Sequence, residues 1–140
     1  MQIKSIDSYK NIKNGVELSC NDVLIRITLV EKNILRIWQT LQNGFNPGDT
    51  FILNKSELIP IPVKIEELDD IIRISGEELT VNIYLDPFWI DIRDSSNSRF
   101  LSTPSGESTE WNGEKALQRF NLPAGVKVYG LGQGTVILST

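Results

Sequence analysis

The sequence predicts an all-β fold of short antiparallel strands, built as a sandwich or a barrel. Three observations predict it. Apolar residues recur with period two in several stretches, turn-forming residues separate those stretches, and an apolar period of 3.6 is hard to find anywhere in the 140 residues. Successive side chains of a strand point to opposite faces, so alternation marks a strand with one face in a core.

The elements follow in chain order. Asn14-Gly15 is an early turn signal. In residues 23–30, Val23, Ile25, Ile27 and Leu29 share one face opposite Leu24, Arg26, Thr28 and Val30, and the first set is the core face. Glu31-Lys32-Asn33 is a tight polar link to a strand at 34–38, as in a hairpin. Residues 40–57 hold Asn43, Gly44, Asn46, Pro47 and Gly48 and read as a long loop over the sheet. A short strand at 61–65 belongs at a sheet edge, because Pro60 and Pro62 bracket Ile61 and proline donates nothing to a ladder. Another short strand covers 71–74, and Ser75-Gly76 turns the chain. Leu79, Val81, Ile83 and Leu85 then alternate with Thr80, Asn82 and Tyr84. Phe88, Ile90 and Ile92 alternate in the same way with Trp89, Asp91 and Arg93, and a Ser/Asn turn occupies 95–98. Residues 102–112 read as a polar loop with Trp111 near its far end and Asn112-Gly113 beyond; 114–120 is read as a helical turn. A last strand is expected at 126–129, with β-branched, strand-like residues at 135–138.

Composition sets the functional classes. With 40% hydrophobic and 23% charged residues, the chain has ordinary globular composition and enough apolar surface for one domain. The net charge of −4 is spread among interspersed acids and bases, so nothing is arranged to neutralise phosphates and no nucleic-acid partner is expected. No apolar run approaches the roughly 20 residues of a membrane span, and no membrane partner is expected either. Residues 1–10 contain no apolar signal-peptide core. Cys20 is the single cysteine, expected as a buried free thiol in keeping with a reducing, cytoplasmic location. Histidine is absent, which removes the commonest metal ligand and general base.

Several patterns imitate chemistry. Asp91 and Asp94 could be taken for a catalytic carboxylate pair, but their context makes them carboxylates of a solvated outer face and a turn. Gly130-Leu131-Gly132-Gln133-Gly134 imitates a dinucleotide loop. Its third glycine comes one residue early for G-x-G-x-x-G and no helix opens after it, so these glycines read as backbone turning and close strand approach. Glu66, Glu67, Asp69 and Asp70 lack the spacing and central glycine of a calcium loop and read as a solvated turn. Trp38, Trp89, Trp111, Phe45 and Tyr84 could stack on the apolar face of a sugar. Trp38 and Trp89 belong to strands; Trp111 and Phe45, on loops, are the possible carbohydrate contacts.

Read in order, three segments resemble the N-terminal domain of glycoside hydrolase family 31, the α-glucosidase group. The first is the strand Ile34-Leu35-Arg36-Ile37. The second runs through Asp86-Pro87-Phe88-Trp89-Ile90-Asp91-Ile92 into the Ser/Asn turn. The third is Phe120-Asn121-Leu122-Pro123 followed by the signature Tyr129-Gly130-Leu131-Gly132, in which Gln133 stands where the family usually has glutamate.

The resemblance implies a galactose mutarotase-like antiparallel β-sandwich, a single accessory domain covering residues 1–140. It implies no cofactor, no metal and no catalytic residue in this chain, with Tyr129, Gly130, Leu131, Gly132 and Gln133 as structural signature positions. The implied partner is a catalytic (β/α)₈ barrel of the same parent protein, which would act on α-linked glucosides through two carboxylates of its own. The alternative function is a stand-alone carbohydrate-binding β-sandwich using Trp111 and Phe45.

Overall fold

A computed structural model describes residues 2–41, 60–112, 115–121, 127–132 and 135–139. Thirteen strands lie among the described residues. One sheet has six strands in the order β1-β2-β3-β4-β13-β12: β1 (Ser8–Ile12), β2 (Gly15–Cys20), β3 (Val23–Glu31), β4 (Ile34–Leu41), β12 (Lys127–Gly132) and β13 (Thr135–Ser139). The second is a five-stranded meander of β5 (Lys64–Leu68), β6 (Ile71–Ser75), β7 (Thr80–Leu85), β8 (Phe88–Arg93) and β9 (Arg99–Ser102). A separate hairpin pairs β10 (Thr109–Asn112) with β11 (Lys115–Gln118), and every strand pairing is antiparallel.

The alternation does what it predicts. Val23, Ile25, Ile27 and Leu29 of β3 are buried, as are Leu35 and Ile37 of β4 and Val16 and Leu18 of β2. From the other sheet come Ile72, Ile74, Val81, Ile83, Phe88, Ile90 and Ile92, and both sets join one core. The fold is therefore an antiparallel β-sandwich. Each fully buried Leu, Ile, Val or Phe stabilises it by about 1.5–3 kcal/mol relative to exposure. Cys20 is a buried free thiol within this core.

Tight turns set the registers. Lys32-Asn33 joins β3 to β4, and Asn14, Asn21 and Asp69 take φ of 64°, 52° and 51° in the β1–β2, β2–β3 and β5–β6 turns. Asn and Asp tolerate this left-handed region, which suits hairpins. Gly15 follows the first turn as the opening residue of β2. A Cβ there would collide with the Ile27 carbonyl oxygen of β3, so only glycine permits the close approach. The N-terminal segment bridges several elements: Ile3 N–H donates to the Thr109 carbonyl (2.9 Å), Ile6 N–H to that of Leu85 (2.9 Å) and Phe88 N–H to that of Lys4 (2.7 Å).

Four expectations are corrected. Residues 114–120 are not a helical turn: 115–118 form β11, because β10 offers a ladder running from Thr109↔Gln118 to Asn112↔Lys115. The polar loop at 102–112 is shorter, since β9 ends at Ser102 and β10 begins at Thr109. The strand at 61–65 begins only at Lys64, two residues beyond Pro62, although it does lie at the sheet edge. Asp91, read as solvated, is 1% exposed. The long loop read at 40–57 falls mostly outside the described residues.

Candidate functional site

The signature residues Tyr129, Gly130, Leu131 and Gly132 all lie on β12, at one edge of the six-stranded sheet. β12 pairs with β13 from Lys127↔Ser139 to Tyr129↔Ile137; the register then shifts so that Gly132 faces Thr135. The shift falls where the two glycines lie, in keeping with their reading as a place of backbone bending. Gln133 lies outside the described residues.

β13 in turn pairs with β4, placing Thr135 opposite Trp38 and Ile137 opposite Arg36. A continuous row of positions thus crosses the sheet from Tyr129 through Ile137, Arg36 and Thr28 to Gly15. Since Leu35 and Ile37 face the core, Arg36 belongs to the opposite, outer face. Arg36 is only 5% exposed, and its Nε has no hydrogen-bond acceptor among the described residues. Its guanidinium lies 4.4 Å from the ring centroid of Trp38, and that of Arg26 lies 5.5 Å from the same ring. Burial, and secondarily the like charge of Arg26, lower the pKa of Arg36. The nearby carboxylate of Glu17 is engaged elsewhere, by Lys10 Nζ at 3.1 Å and Arg26 Nε at 3.0 Å. A buried guanidinium with no carboxylate on it among the described residues is an uncommon arrangement.

The outer face of the five-stranded sheet carries a polar band in register, Glu66↔Arg73↔Asn82↔Asp91. Arg73 Nε donates to Asn82 Oδ1 (2.9 Å), and Asn82 Nδ2 donates to Asp91 Oδ2 (3.3 Å). Arg93 Nε and Arg99 Nε reach the two Asp91 oxygens at 2.9 and 2.7 Å. Burial alone would raise the Asp91 pKa, but the hydrogen bonds from Arg93, Arg99 and Asn82 and the charge of Arg99 outweigh it and hold the carboxyl below its usual range. Strand alternation makes Asp91 outward-facing, as the sequence says; Arg93 of its own strand and Arg99 and Asn82 of the adjacent ones bond to it, which the sequence did not announce.

Asp94 is the expected turn carboxylate. Its Oδ1 accepts from Ser96 N–H (3.0 Å), Ser96 Oγ (2.7 Å) and Ser98 N–H (3.0 Å), and these bonds lower its pKa. A general acid at neutral pH needs a raised pKa; Asp91 and Asp94 are both shifted the other way. They are not an acid/base pair. Glu66, Glu67, Asp69 and Asp70 belong to the β5–β6 hairpin, and no group of metal-ligating side chains occurs among the described residues.

Among the described residues, Trp38, Tyr84, Trp89 and Trp111 are not gathered into one platform. Trp111 is on β10 rather than a loop, is 5% exposed, and donates from Nε1 to Gln39 Oε1 at 3.0 Å. The alternation that buries Thr109 also turns Trp111 inward, so its ring offers no open face to a sugar. Gln39 Nε2 then donates to Gln118 Oε1 (2.6 Å), tying the β10–β11 hairpin to β4. Nothing in the sequence singled out Gln39 or Gln118, because the partners are 79 positions apart. Tyr84 and Trp89 stack face to face, 4.1 Å between centroids and 9° between planes, as a cross-strand pair. Phe45 lies outside the described residues.

A sequence profile described as the glycosyl hydrolase 31 N-terminal galactose mutarotase-like domain matches residues 24–139. By sequence, no curated protein matches the chain. Among solved structures, a family 31 dextranase from Flavobacterium johnsoniae in complex with isomaltotriose superposes with a TM-score of 0.75 at 20% identity, over 94% of this chain and 17% of the dextranase. The cycloalternan-forming enzyme of Listeria monocytogenes gives 0.66 at 16% identity, over 94% of this chain and 13% of the enzyme. A family 31 α-xylosidase from a soil metagenome, complexed with xylose, gives 0.66 at 18% identity, over 91% and 22%. At these identities the likeness is one of fold, and the chain spans less than a quarter of each enzyme's length.

Proposed function

The chain belongs to the glycosyl hydrolase 31 N-terminal galactose mutarotase-like domain family, and from that premise we propose that it is the non-catalytic accessory sandwich of a cytoplasmic family 31 glycosidase. In this reading the outer face of the six-stranded sheet packs on a (β/α)₈ catalytic barrel of the same parent protein and helps shape its substrate site. The parent hydrolyses α-glycosidic bonds, with α-glucosides as the substrates; dextranase and α-xylosidase relatives show that the family's specificity is broader than glucosidase. Hydrolysis belongs to the barrel's pair of carboxylates, and this chain's part is to buttress them.

The observation that supports the docking face is Arg36. Arg36 is shielded on the outer face, and its Nε has no acceptor among the described residues, so a charged donor marks the face on which a second domain would pack. Trp38 beside it supplies apolar surface, and the row leads through β13 to the family signature on β12. The stand-alone module is less well supported, because Trp111 is buried and bonded inside the sandwich.

Two experiments test the reading. The purified chain, incubated with chromogenic α-glucoside and α-xyloside, should release no chromophore; sustained turnover that follows the protein through purification would overturn it. Reading the encoding gene beyond codon 140 should reveal a barrel with a Trp-x-Asp-Met-Asn-Glu segment, and a frame without a hydrolase barrel refutes the partnership.

A further inference from the structure

The five-stranded sheet, on the opposite side of the sandwich from Arg36, holds a depression of 520 Å³ lined by Glu66, Arg73, Thr80, Asn82, Asp91 and Arg93 among others. Its volume falls in the about 300–1,000 Å³ range of small-ligand sites. Its chemistry narrows the ligand. Two carboxylates and two guanidiniums line it, so neither an anion nor a cation is selected by net charge. The walls are mainly polar, which disfavours a lipid or an aromatic ligand.

The band is also pre-organised. Asp91 has both oxygens engaged and acts as an anchor, fixing Arg93 and, through Asn82, the orientation of Arg73. What remains for a ligand is the outer part of the cradle. Among the described residues Arg73 bonds through Nε, which leaves its two Nη groups as paired donors, and Glu66 has one long contact, Lys64 at 3.8 Å. The side chains of Ser75 and Thr80, a cross-strand pair, add hydroxyls that both donate and accept. A planar guanidinium matches two adjacent acceptor oxygens, and a carboxylate matches two adjacent hydroxyl donors. A neutral ligand that presents both at neighbouring carbons is a vicinal diol.

We infer that this depression is a carbohydrate-binding subsite, one that holds the vicinal hydroxyls of a pyranose between Arg73 and Glu66 on the Ser75–Thr80 side of the band. Tyr84, also in the lining, is stacked on Trp89, which covers one face of its ring. Polar contacts on an open sheet carry the binding, so the affinity is in the millimolar range, about 1 mM. The site is separate from the proposed docking face and remains accessible when that face is covered.

The test is a ¹⁵N-detected NMR titration of the isotopically labelled chain with isomaltose and with maltose, to about 10 mM. Saturable shifts at the Arg73 Nε–H, the Asn82 side-chain amide and the Thr80 and Arg93 backbone amides are expected with at least one sugar. Arg73→Gln and Glu66→Gln should each weaken that binding about tenfold while leaving the remaining spectrum in place; the second variant decides if the first fails to fold. Flat spectra with both disaccharides overturn the inference. So does a response to inorganic phosphate alone, or a sugar response confined to β4 and β12. Flat spectra or a phosphate response leave the docking reading untouched, since turnover and the gene check it separately; a sugar response confined to β4 and β12, on the proposed docking face, would count against both.

Discussion

Removing the carboxylate of Asp91 tests whether the polar band is a set of coupled interactions or a row of independent surface charges. Asp91 is 1% exposed and accepts from Arg93, Arg99 and Asn82. Breaking a buried pair by deleting one partner costs about 3–5 kcal/mol, because the other charge is left uncompensated. Here the orphaned side chains are 29% and 51% exposed for Arg93 and Arg99, so water recovers part of the loss and the low end, about 3 kcal/mol, applies for Asp91→Ala. With an unfolding entropy of about 2.1 cal/mol/K per residue over 140 residues, that is a fall in Tm of about 10 °C. Asp91→Asn keeps the shape and one acceptor and should lose about half as much. The sign with pH follows from the lowered folded-state pKa. The contribution is present above the unfolded value of about 3.9 and is lost as pH falls through the folded one. Urea unfolding of wild type and Asp91→Ala at pH 7 and at about pH 3 reads both quantities. The deficit should shrink in acid. A deficit under about 1 kcal/mol, or one that does not change with pH, would refute the coupled band.

Other perturbations have equally definite outcomes. Gly15→Ala should cost at least about 2 kcal/mol by urea unfolding, since its Cβ meets backbone rather than a movable side chain; an unchanged midpoint would mean that β2 and β3 are further apart than described. Trp111→Phe keeps most of the ring but leaves Gln39 Oε1 short of a donor, for a loss of about 1–3 kcal/mol. Hydrogen exchange should show that loss concentrated in the β10–β11 hairpin. Arg36→Met should leave the isolated chain within about 2 kcal/mol of wild type, because a buried Nε without an acceptor among the described residues becomes apolar volume while the contact with the Trp38 ring is lost; a larger loss would mean that more than that ring contact holds the guanidinium. Cys20, 7% exposed and with its pKa raised by burial and by the Asp7 charge, should react with a thiol reagent at pH 8 only as fast as the chain opens.

The sequence alone determined the strands marked by strict alternation and their inward faces, while β1, β2, β10 and β11 were not read from it. At Val23, Ile25, Ile27, Leu29, Val81, Ile83, Phe88, Ile90 and Ile92 the period of two and the burial agree residue by residue, because alternation is a local property of the extended backbone and a core selects one side of it. The family, too, was legible in the order of three short segments. What only the tertiary structure decided depends on which strands become neighbours. Residues 115–118 are extended because β10 pairs with them, whatever their own preference. Trp111 is buried because Gln39, 72 positions away, accepts its N–H, and Asp91 is covered because two arginines from β8 and β9 converge on it. Side chains brought together across strand pairings fix such environments. Local pattern carries no information about them, which is why the core was readable and the outer faces were not.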